Sequence, residues 1–555
     1  MFLRITPRKA GNKVHKYAEF VESYRENGKV KQRRLKYLGK VDDETARKLK
    51  FAFSKKSDKF VDLDSLEICE SFAYGHYHLL HHLGKELGLF EYMQSHFTSN
   101  DSHITVSTAV KYLKALVLQR IIDPDSKHAL VEWQENTPLK YLGIKELDLQ
   151  TLYRSMEILE HNFALVEQYL YNVAVKKFHQ NEKELFYDIT SSYFEGRGCV
   201  IAAYGYSRDR RKDRKQIVIG LVTTVDGFPI KCKVFPGNRL DKTTVTEVIE
   251  ELSKEYSAQD IVLVGDRGMF THDNTTDIES LNQHYIMTMP RDWSKKHLKN
   301  VKICPTHMNK VQEDLYGVFV ENEGHYRVLL CLNTQKRKDE QEYRRQKMDQ
   351  MQQELEELNA SLGTNKRIKN RDDAMKKAGM ILKNNKVRKY FDVYTTDSSN
   401  NSLGFEVTWL KNERKIQEDE RLDGTFVIQT NVTDYSDKKL IYIYKNLHKV
   451  ENAFKVIKNV LDLRPMMHYK QIRVEAHVYL CVIAYFILTA CEYISRKKEL
   501  NVSTPKILKK LSKIHLIDIF LDDDKHKYVI TKRNKAQKEI LQAFGIKNIK
   551  IPETS

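Results

Sequence analysis

The sequence predicts an α/β fold: a mixed five-stranded sheet flanked by helices, its chain interrupted by an insertion. Three observations predict it. Between residues 181 and 290 the hydrophobic pattern runs as three strands, a helix, a strand, a helix and a strand. Two of those apolar strands carry an aspartate, Asp188 in the middle of one and Asp266 at the C-terminal end of another. Far downstream, a helix from Tyr444 to Leu461 sets a stripe holding Glu451 beside an apolar stripe.

Taken in order, residues 1–60 read as a basic β-hairpin region. Tyr17–Tyr24 and Val30–Tyr37 flank Glu26-Asn27-Gly28-Lys29, and Asn-Gly is the strongest tight-turn signal. The second strand carries Arg33 and Arg34 with Lys31 and Lys36, a basic surface suited to DNA. Residues 61–180 turn helical, with Ser107–Ile122 and Asp125–Glu135 separated by Asp123-Pro124 and a third helix from Leu149. That spacing fits a helix-turn-helix with Tyr153 and Arg154 as groove candidates, or an ordinary bundle. Residues 181–290 hold the strands Glu184–Tyr193, Gln216–Val225, Phe228–Phe235, Ile261–Gly265 and Tyr285–Pro290. Their order matches a ribonuclease-H-like sheet, in which the first and fourth strands lie side by side. Residues 291–435 are an insertion with strands and a helical hairpin: a strand pair around Glu323-Gly324, further strands at Tyr390–Thr395, Phe405–Leu410 and Thr425–Thr430, and an a/d seam at Met348, Met351, Leu355, Leu358 and Leu362. Residues 436–500 return to the core with the Glu451 helix. Residues 501–555 read as a basic helical tail.

Composition limits the function classes. At roughly 150 residues per domain, 555 residues suggest three or four domains. A hydrophobic fraction of 41% with 30% charged residues suits a globular protein and excludes wholesale disorder. The longest apolar run, Val478–Cys491, is too short to span a bilayer and reads as a buried helix. No apolar signal run opens the chain, and seven cysteines without a C-x-x-C pair fit reduced thiols, so a cytoplasmic protein is expected, nucleoid-associated when bound to DNA. Residues 1–50 carry +9 and residues 495–555 carry +8 of the net +18. Basic ends on a near-neutral body suit a polyanion held at several points.

The acids carry the chemistry. An uncompensated carboxylate inside an apolar strand costs several kcal/mol. If the strands of Asp188 and Asp266 are neighbours, two like charges converge at one sheet edge, a placement that a cation between them relieves. Hard oxygen donors beside a polyanion favour Mg²⁺ or Mn²⁺. On the Glu451 helix, Leu447, Val450, Phe454, Ile457 and Leu461 form the buried stripe, and Tyr444, His448, Glu451, Lys455 and Lys458 the adjacent one. Taken alone, that stripe also reads as a surface Glu–Lys pair. Arg208–Lys215, with Arg210, Arg211, Lys212 and Arg214 among six basic and two acidic residues, reads as a DNA-facing loop. The histidines 76, 78, 81 and 82 lie in an amphipathic stretch without nearby acids and read as packing. No Gly-rich phosphate cradle is present, so no nucleotide cofactor is expected.

Together these residues resemble the DDE transposases of bacterial insertion sequences, in the branch marked by the signature Y-x2-R-x3-E-x6-K. Tyr444, Leu447, Glu451 and Lys458 occupy its four positions. Asp188 in FYDITSSYFEG matches the first Asp; Asp266, Gly268 and Phe270 match D-x-G-x-[YF]. Leu463-Arg464-Pro465 with His468, Arg473 and His477 is also similar to this branch. One position departs: Leu447 stands where the signature has arginine, leaving Lys445, His448 or Lys449 as substitutes for its phosphate contact.

The resemblance implies catalysis and metal ligation by Asp188, Asp266 and Glu451, with two Mg²⁺ (or Mn²⁺) ions per active site. Tyr444, Lys455, Lys458 and Arg267 are the DNA contacts expected beside the acids. It implies cleavage at the element's ends, freeing a 3′-OH that attacks the opposite strand or target DNA, in cut-and-paste movement through hairpin ends. The expected partners are double-stranded DNA, as terminal inverted repeats and target, and a second copy of the chain in a homodimer on paired ends, with no membrane. A ribonuclease-H-like nuclease without strand transfer and a non-catalytic DNA-binding derivative are the alternatives.

Overall fold

The computed structural model describes residues 1–10, 13–53, 67–255, 260–266, 268–269, 272–320, 326–364, 367–521, 525–549 and 551. The chain divides into two compact units, one made of residues 1–76, 508–539 and 547–555, the other of 77–507 and 540–546. The first begins with a three-stranded antiparallel sheet, β1 (Phe2–Ala10), β2 (Lys13–Glu26) and β3 (Lys29–Val41), with β2 in the middle. The predicted hairpin lies within β2 and β3. Asn27 (φ 52°) and Gly28 (φ 77°) both take the left-handed conformation that a two-residue hairpin turn requires. The sequence reading missed β1, whose Pro7 and scattered basic residues blur its alternation; proline is tolerated there because β1 is an edge strand. A fourth strand, β4 (Glu67–Ala73), follows in this unit.

The second unit is built on β5 (Glu184–Tyr193), β6 (Gln216–Thr223), β7 (Pro229–Pro236), β8 (Val262–Gly265), β9 (His284–Thr288), β10 (Asn309–Gln312), β11 (Leu315–Val320), β12 (Arg327–Asn333) and β15 (Thr425–Thr430). Their order across one mixed sheet is β10-β11-β12-β15-β9-β8-β5-β6-β7. The five strands predicted between 181 and 290 are all present, with the first and fourth, β5 and β8, paired in parallel. The expectation of a five-stranded sheet is corrected: β10, β11, β12 and β15, which the sequence assigned to the insertion, continue the same sheet beyond β9. Val328, Leu329, Leu330, Cys331 and Leu332 are fully buried, as are Val427 and Ile428, so β12 and β15 are buried on both faces and belong inside a sheet. The predicted turn at Glu323-Gly324 lies outside the described residues.

Among the described strands of residues 291–435, β13 (Phe391–Asp397) and β14 (Phe405–Lys411) leave that sheet, as a separate hairpin. Helices Thr334–Ala360 and Arg371–Asn384 pack on it. Of the predicted seam, Leu355, Leu358 and Leu362 meet Ile368, Ala374, Phe405 and Val407, and Met351 meets Tyr390 and Phe391. The seam therefore holds a local helical hairpin, as the sequence suggested, over a small core of its own.

Helix α1 (Val106–Ile122) packs on α2 (Leu149–His161), and both pack on α3 (Gln471–Lys497). In length and composition α3 could cross a membrane, yet 83% of its apolar window is buried inside the protein. The groove candidates are engaged internally: Arg473 lies over the Tyr153 ring, 4.2 Å from its centroid, and Arg154 pairs with Asp101 at 3.5 Å. Bundle packing accounts for both. The C-terminal segment corrects the expectation of a purely helical tail. Between helices Thr504–Leu511 and Lys535–Ala543, β16 (His515–Leu521) pairs with β17 (Lys525–Ile530) and with β4. β16 is an apolar run, Leu516, Ile517, Ile519, Phe520 and Leu521, broken by Asp518, and the surrounding lysines mask the hairpin in sequence.

A buried ion network holds the first turns of Thr334–Ala360 to the end of helix Glu413–Arg421. Asp423, its side chain fully buried, accepts two bonds from Arg344 Nη2 (2.5 and 2.7 Å) and one from Arg291 (3.0 Å). Removing one partner of such a pair strands the other charge in the interior. Asp423→Ala is expected to destabilise this unit by about 3–5 kcal/mol, read by urea denaturation of the full chain with intrinsic fluorescence. A loss under about 1 kcal/mol would mean the network is dispensable.

Candidate active site

The geometry begins with strand register. In the parallel β5–β8 pair, Glu184 lies opposite Val262, Leu185 opposite Leu263 and Phe186 opposite Val264. Two residues further in the same register, Asp188 stands beside Asp266, the residue that follows β8. Side chains alternate along a strand, so Asp188 points to the face opposite Tyr187. Tyr187 is buried against Gly220, on the side where Thr244 of helix Lys242–Glu255 lies. Asp188 therefore faces the side covered by helix α4 (His448–Asn459), which packs on β5 and β6 and carries Glu451.

The carboxylates act on one another. Burial pushes the Asp188 carboxyl up to about 7, and the negative charges of Glu451 and Asp266 push the same way. The Ile189 N–H, donating to Asp188 Oδ1 at 2.8 Å, and the Arg208 guanidinium oppose that rise. Arg208 is itself ion-paired with Asp241 at 2.5 Å. The structure thus brings the three predicted acids within electrostatic reach of one another, with Asp266 and Glu451 exposed and Asp188 half-buried.

The Glu451 helix is not the continuous one predicted from Tyr444. Helix Asp437–Lys445 ends, and α4 starts at His448. The Asn446 side chain donates to Tyr442 O at 2.9 Å, and Leu447 N and Lys449 N bond to carbonyls three residues back. An asparagine that competes for backbone groups in this way breaks a helix. The predicted buried stripe holds, since Leu447, Val450, Phe454, Ile457 and Leu461 are all buried. The polar stripe is interrupted. Tyr444 belongs to the preceding helix, stacked on Phe426 with its hydroxyl 3.4 Å from Thr288 Oγ1, and burial pushes that hydroxyl up. Leu447 is part of the core; Lys449 donates to Val225 O at 2.7 Å.

The predicted DNA contacts fall into three groups. Lys455 is exposed on α4, and Arg210 and Lys212 are exposed in the loop between β5 and β6; among the described residues none of the three forms an ion pair. Arg33 and Arg34 are exposed on β3 but pair with Glu22 and Glu19 on β2. Arg211 and Arg214 are half-buried and tied to Glu195 and Asp213. Lys458 differs from expectation: it is buried, 2.8 Å from Asp209, and Arg464 reaches the same oxygen. Burial pushes the Lys458 ammonium down while Asp209 pulls it up. Arg267 and Phe270 lie outside the described residues. Sequence reasoning read Arg208 and Asp209 only as part of a DNA-facing loop and Arg464 only as part of a family-like stretch, and missed that Asp209 meets Lys458 and Arg464. The available signal was an acid interrupting a basic run, legible only once α4 is docked.

The donors suit a hard divalent cation in kind, being carboxylate oxygens whose mutual repulsion a cation relieves. As they stand, no group of three or more His, Cys, Asp or Glu among the described residues is disposed to hold a metal ion. The raised Asp188 has a measurable consequence in metal-free protein. Its folded value near 7 exceeds the unfolded one, so stability is lost as pH climbs from about 4 through 7. Asp188→Asn is expected to raise stability at pH 8 by about 1–2 kcal/mol and to make no difference at pH 4, compared by thermal melts at both values. A variant less stable than wild type at pH 8 would contradict it.

The transposase DDE domain family matches residues 180–487, more than half of the chain, and the N-terminal domain of IS1634 family transposases matches residues 3–62. No curated protein matches. Among solved structures, the piggyBac transposase synaptic complex with hairpin DNA is similar at 10% identity and a TM-score of 0.35, over 79% of this chain and 76% of that one. On the two family matches, the chain belongs to the DDE transposases of insertion sequences, enzymes that cleave DNA and transfer its strands.

Proposed function

We propose that Asp188, Asp266 and Glu451 are the catalytic acids of this transposase and hold its divalent metal, two Mg²⁺ or Mn²⁺ ions per site. The observation that carries the reading is the β5–β8 register, which sets Asp188 beside Asp266 on the side where α4 presents Glu451. Strand order β7-β6-β5-β8-β9 with β5 and β8 parallel supports a ribonuclease-H-like core formed by residues 181–290 and 436–500. In this reading residues 291–435 are an insertion whose strands extend the sheet, and residues 1–60 and 61–180 are the DNA-binding regions.

Bound metal supplies Lewis-acid polarisation of a phosphoryl oxygen and a nucleophile at neutral pH. The chain's own groups do the rest. Asp188 would hold the metal in its ionised form, which Arg208 favours. Exposed Lys455, Arg210 and Lys212 hold backbone phosphates near the acids. Arg33 and Arg34 are DNA contacts of the N-terminal sheet. Tyr444, close to Asp266 and Glu451, positions the strand from the side of the sheet. The substrate is the double-stranded terminal inverted repeat and then target DNA, handled by two copies of the chain on paired ends in cut-and-paste movement.

The test is a supercoiled plasmid carrying the DNA that borders this gene, incubated with Mg²⁺ and wild-type protein or Glu451→Gln. Wild type is expected to cut at the element ends and join them to target, with Glu451→Gln slower by about 10³-fold or more, since a metal-holding carboxylate is lost. End cleavage without joined product would point to a nuclease. Equal cutting by Glu451→Gln would remove that residue from the site.

A further inference from the structure

The loop between β5 and β6 contains one acid with an unusual environment. Asp209 sits inside the basic run Arg208–Lys215, yet its side chain is only 1% exposed. It is held between Lys458, at 2.8 Å, and Arg464, and both cations address the same oxygen, Oδ1. The other oxygen, Oδ2, is buried and has no hydrogen-bond partner among the described residues. Buried carboxylates are normally satisfied on both oxygens, and a guanidinium normally takes a carboxylate with two parallel bonds. Two cations converging on one oxygen, with the second oxygen stranded, is a poor fit for a carboxylate.

The charge balance is also incomplete. Lys458 and Arg464 share one negative charge, and Arg208 beside them is committed to Asp241. The loop is held in a costly shape: Arg210, next to Asp209, has φ 60°, a left-handed conformation that a non-glycine residue keeps only where its surroundings impose it. Lys458 lies two turns beyond Glu451 on α4, about 10 Å along the helix. That is about three nucleotides along one DNA strand.

We propose that Asp209 is a stand-in for a backbone phosphate of the DNA strand: in the DNA-free protein it fills a site made by Arg464 and by Lys458, one of the DNA contacts that the resemblance implies, and the phosphate displaces it. The register of that phosphate relative to the cut rests on the reading of Glu451 as a catalytic acid. The exchange replaces one negative charge with another. It also frees Asp209, relaxes Arg210 and lets the basic loop close on the same strand. Contact with DNA thereby converts a hidden cation pair into a used one.

The test is binding of an arbitrary-sequence DNA duplex without divalent metal, as dissociation constants over a range of salt, for the full chain. Asp209→Asn is expected to tighten binding about threefold to tenfold and to steepen the salt dependence by about one counterion. Adding Lys458→Gln and Arg464→Gln to that variant should abolish the gain. Arg464→Gln alone, which leaves the Asp209–Lys458 pair, should weaken binding and flatten the slope by about one. Circular dichroism checks that each variant is folded. A folded Asp209→Asn protein that binds no better than wild type overturns the proposal, as does a gain that survives loss of both cations. If Asp209→Asn does not fold, an Arg464→Gln protein with wild-type affinity and slope overturns it instead. Failure to cut plasmid ends bears on the catalytic acids and leaves this measurement untouched.

Discussion

Parallel pairing of β5 with β8 is the constraint on which the rest of the structure depends. A parallel ladder needs cover on both faces, and here helix Lys242–Glu255 supplies Thr244 against Tyr187 on one side while α4 lies on the other. The register of that pair leaves little freedom for the acids. Once Phe186 is opposite Val264, Asp188 and Asp266 share a level and a face. A slip of one residue would turn Asp188 into the layer occupied by Tyr187 and disperse the acids.

Holding acids this way is costly, and the surroundings show how the cost is met. Asp188 is driven towards its neutral form by burial and by its two neighbours, while the Ile189 N–H and the Arg208 guanidinium oppose them. The site is therefore poised to take up positive charge. Basic groups close by are mostly neutralised within the protein: Arg208 by Asp241, Arg211 and Arg214 by Glu195 and Asp213, Lys458 and Arg464 by Asp209. Lys455, Arg210 and Lys212 remain exposed without ion pairs among the described residues. A polyanion would meet those three first and compete for the rest.

The insertion is joined to the sheet more closely than its position in the chain suggests. β15 pairs with β9 through Ile428 and Thr288, and the Tyr444 hydroxyl rests near that same Thr288. The helical hairpin and β13–β14 have their own core, but Arg344 and Asp423 tie the long helix to the residues leading into β15. The insertion and the strand next to the acid-bearing β8 therefore share buried contacts, so displacement of one is felt by the other.

The sequence by itself determined the elements whose signals are local. The strands around Asp188 and Asp266 are short apolar runs bounded by polar residues, the turn at Asn27-Gly28 needs a conformation those two residues favour, and the face of Glu451 follows from helical spacing. Their motif spacing was enough to indicate the family. Tertiary structure alone decided matters that depend on which segments meet. Whether Thr425–Thr430 belongs to an insertion or to the central sheet depends on its partner across the ladder. The strands of the tail needed β4 from more than 400 residues earlier. Lys458 and Lys455 look alike as lysines on one helix, but only docking against the β5–β6 loop buries the first on Asp209 and leaves the second in solvent. Burial and charge pairing are properties of neighbours in space, and those neighbours lie about 250 residues apart in the chain.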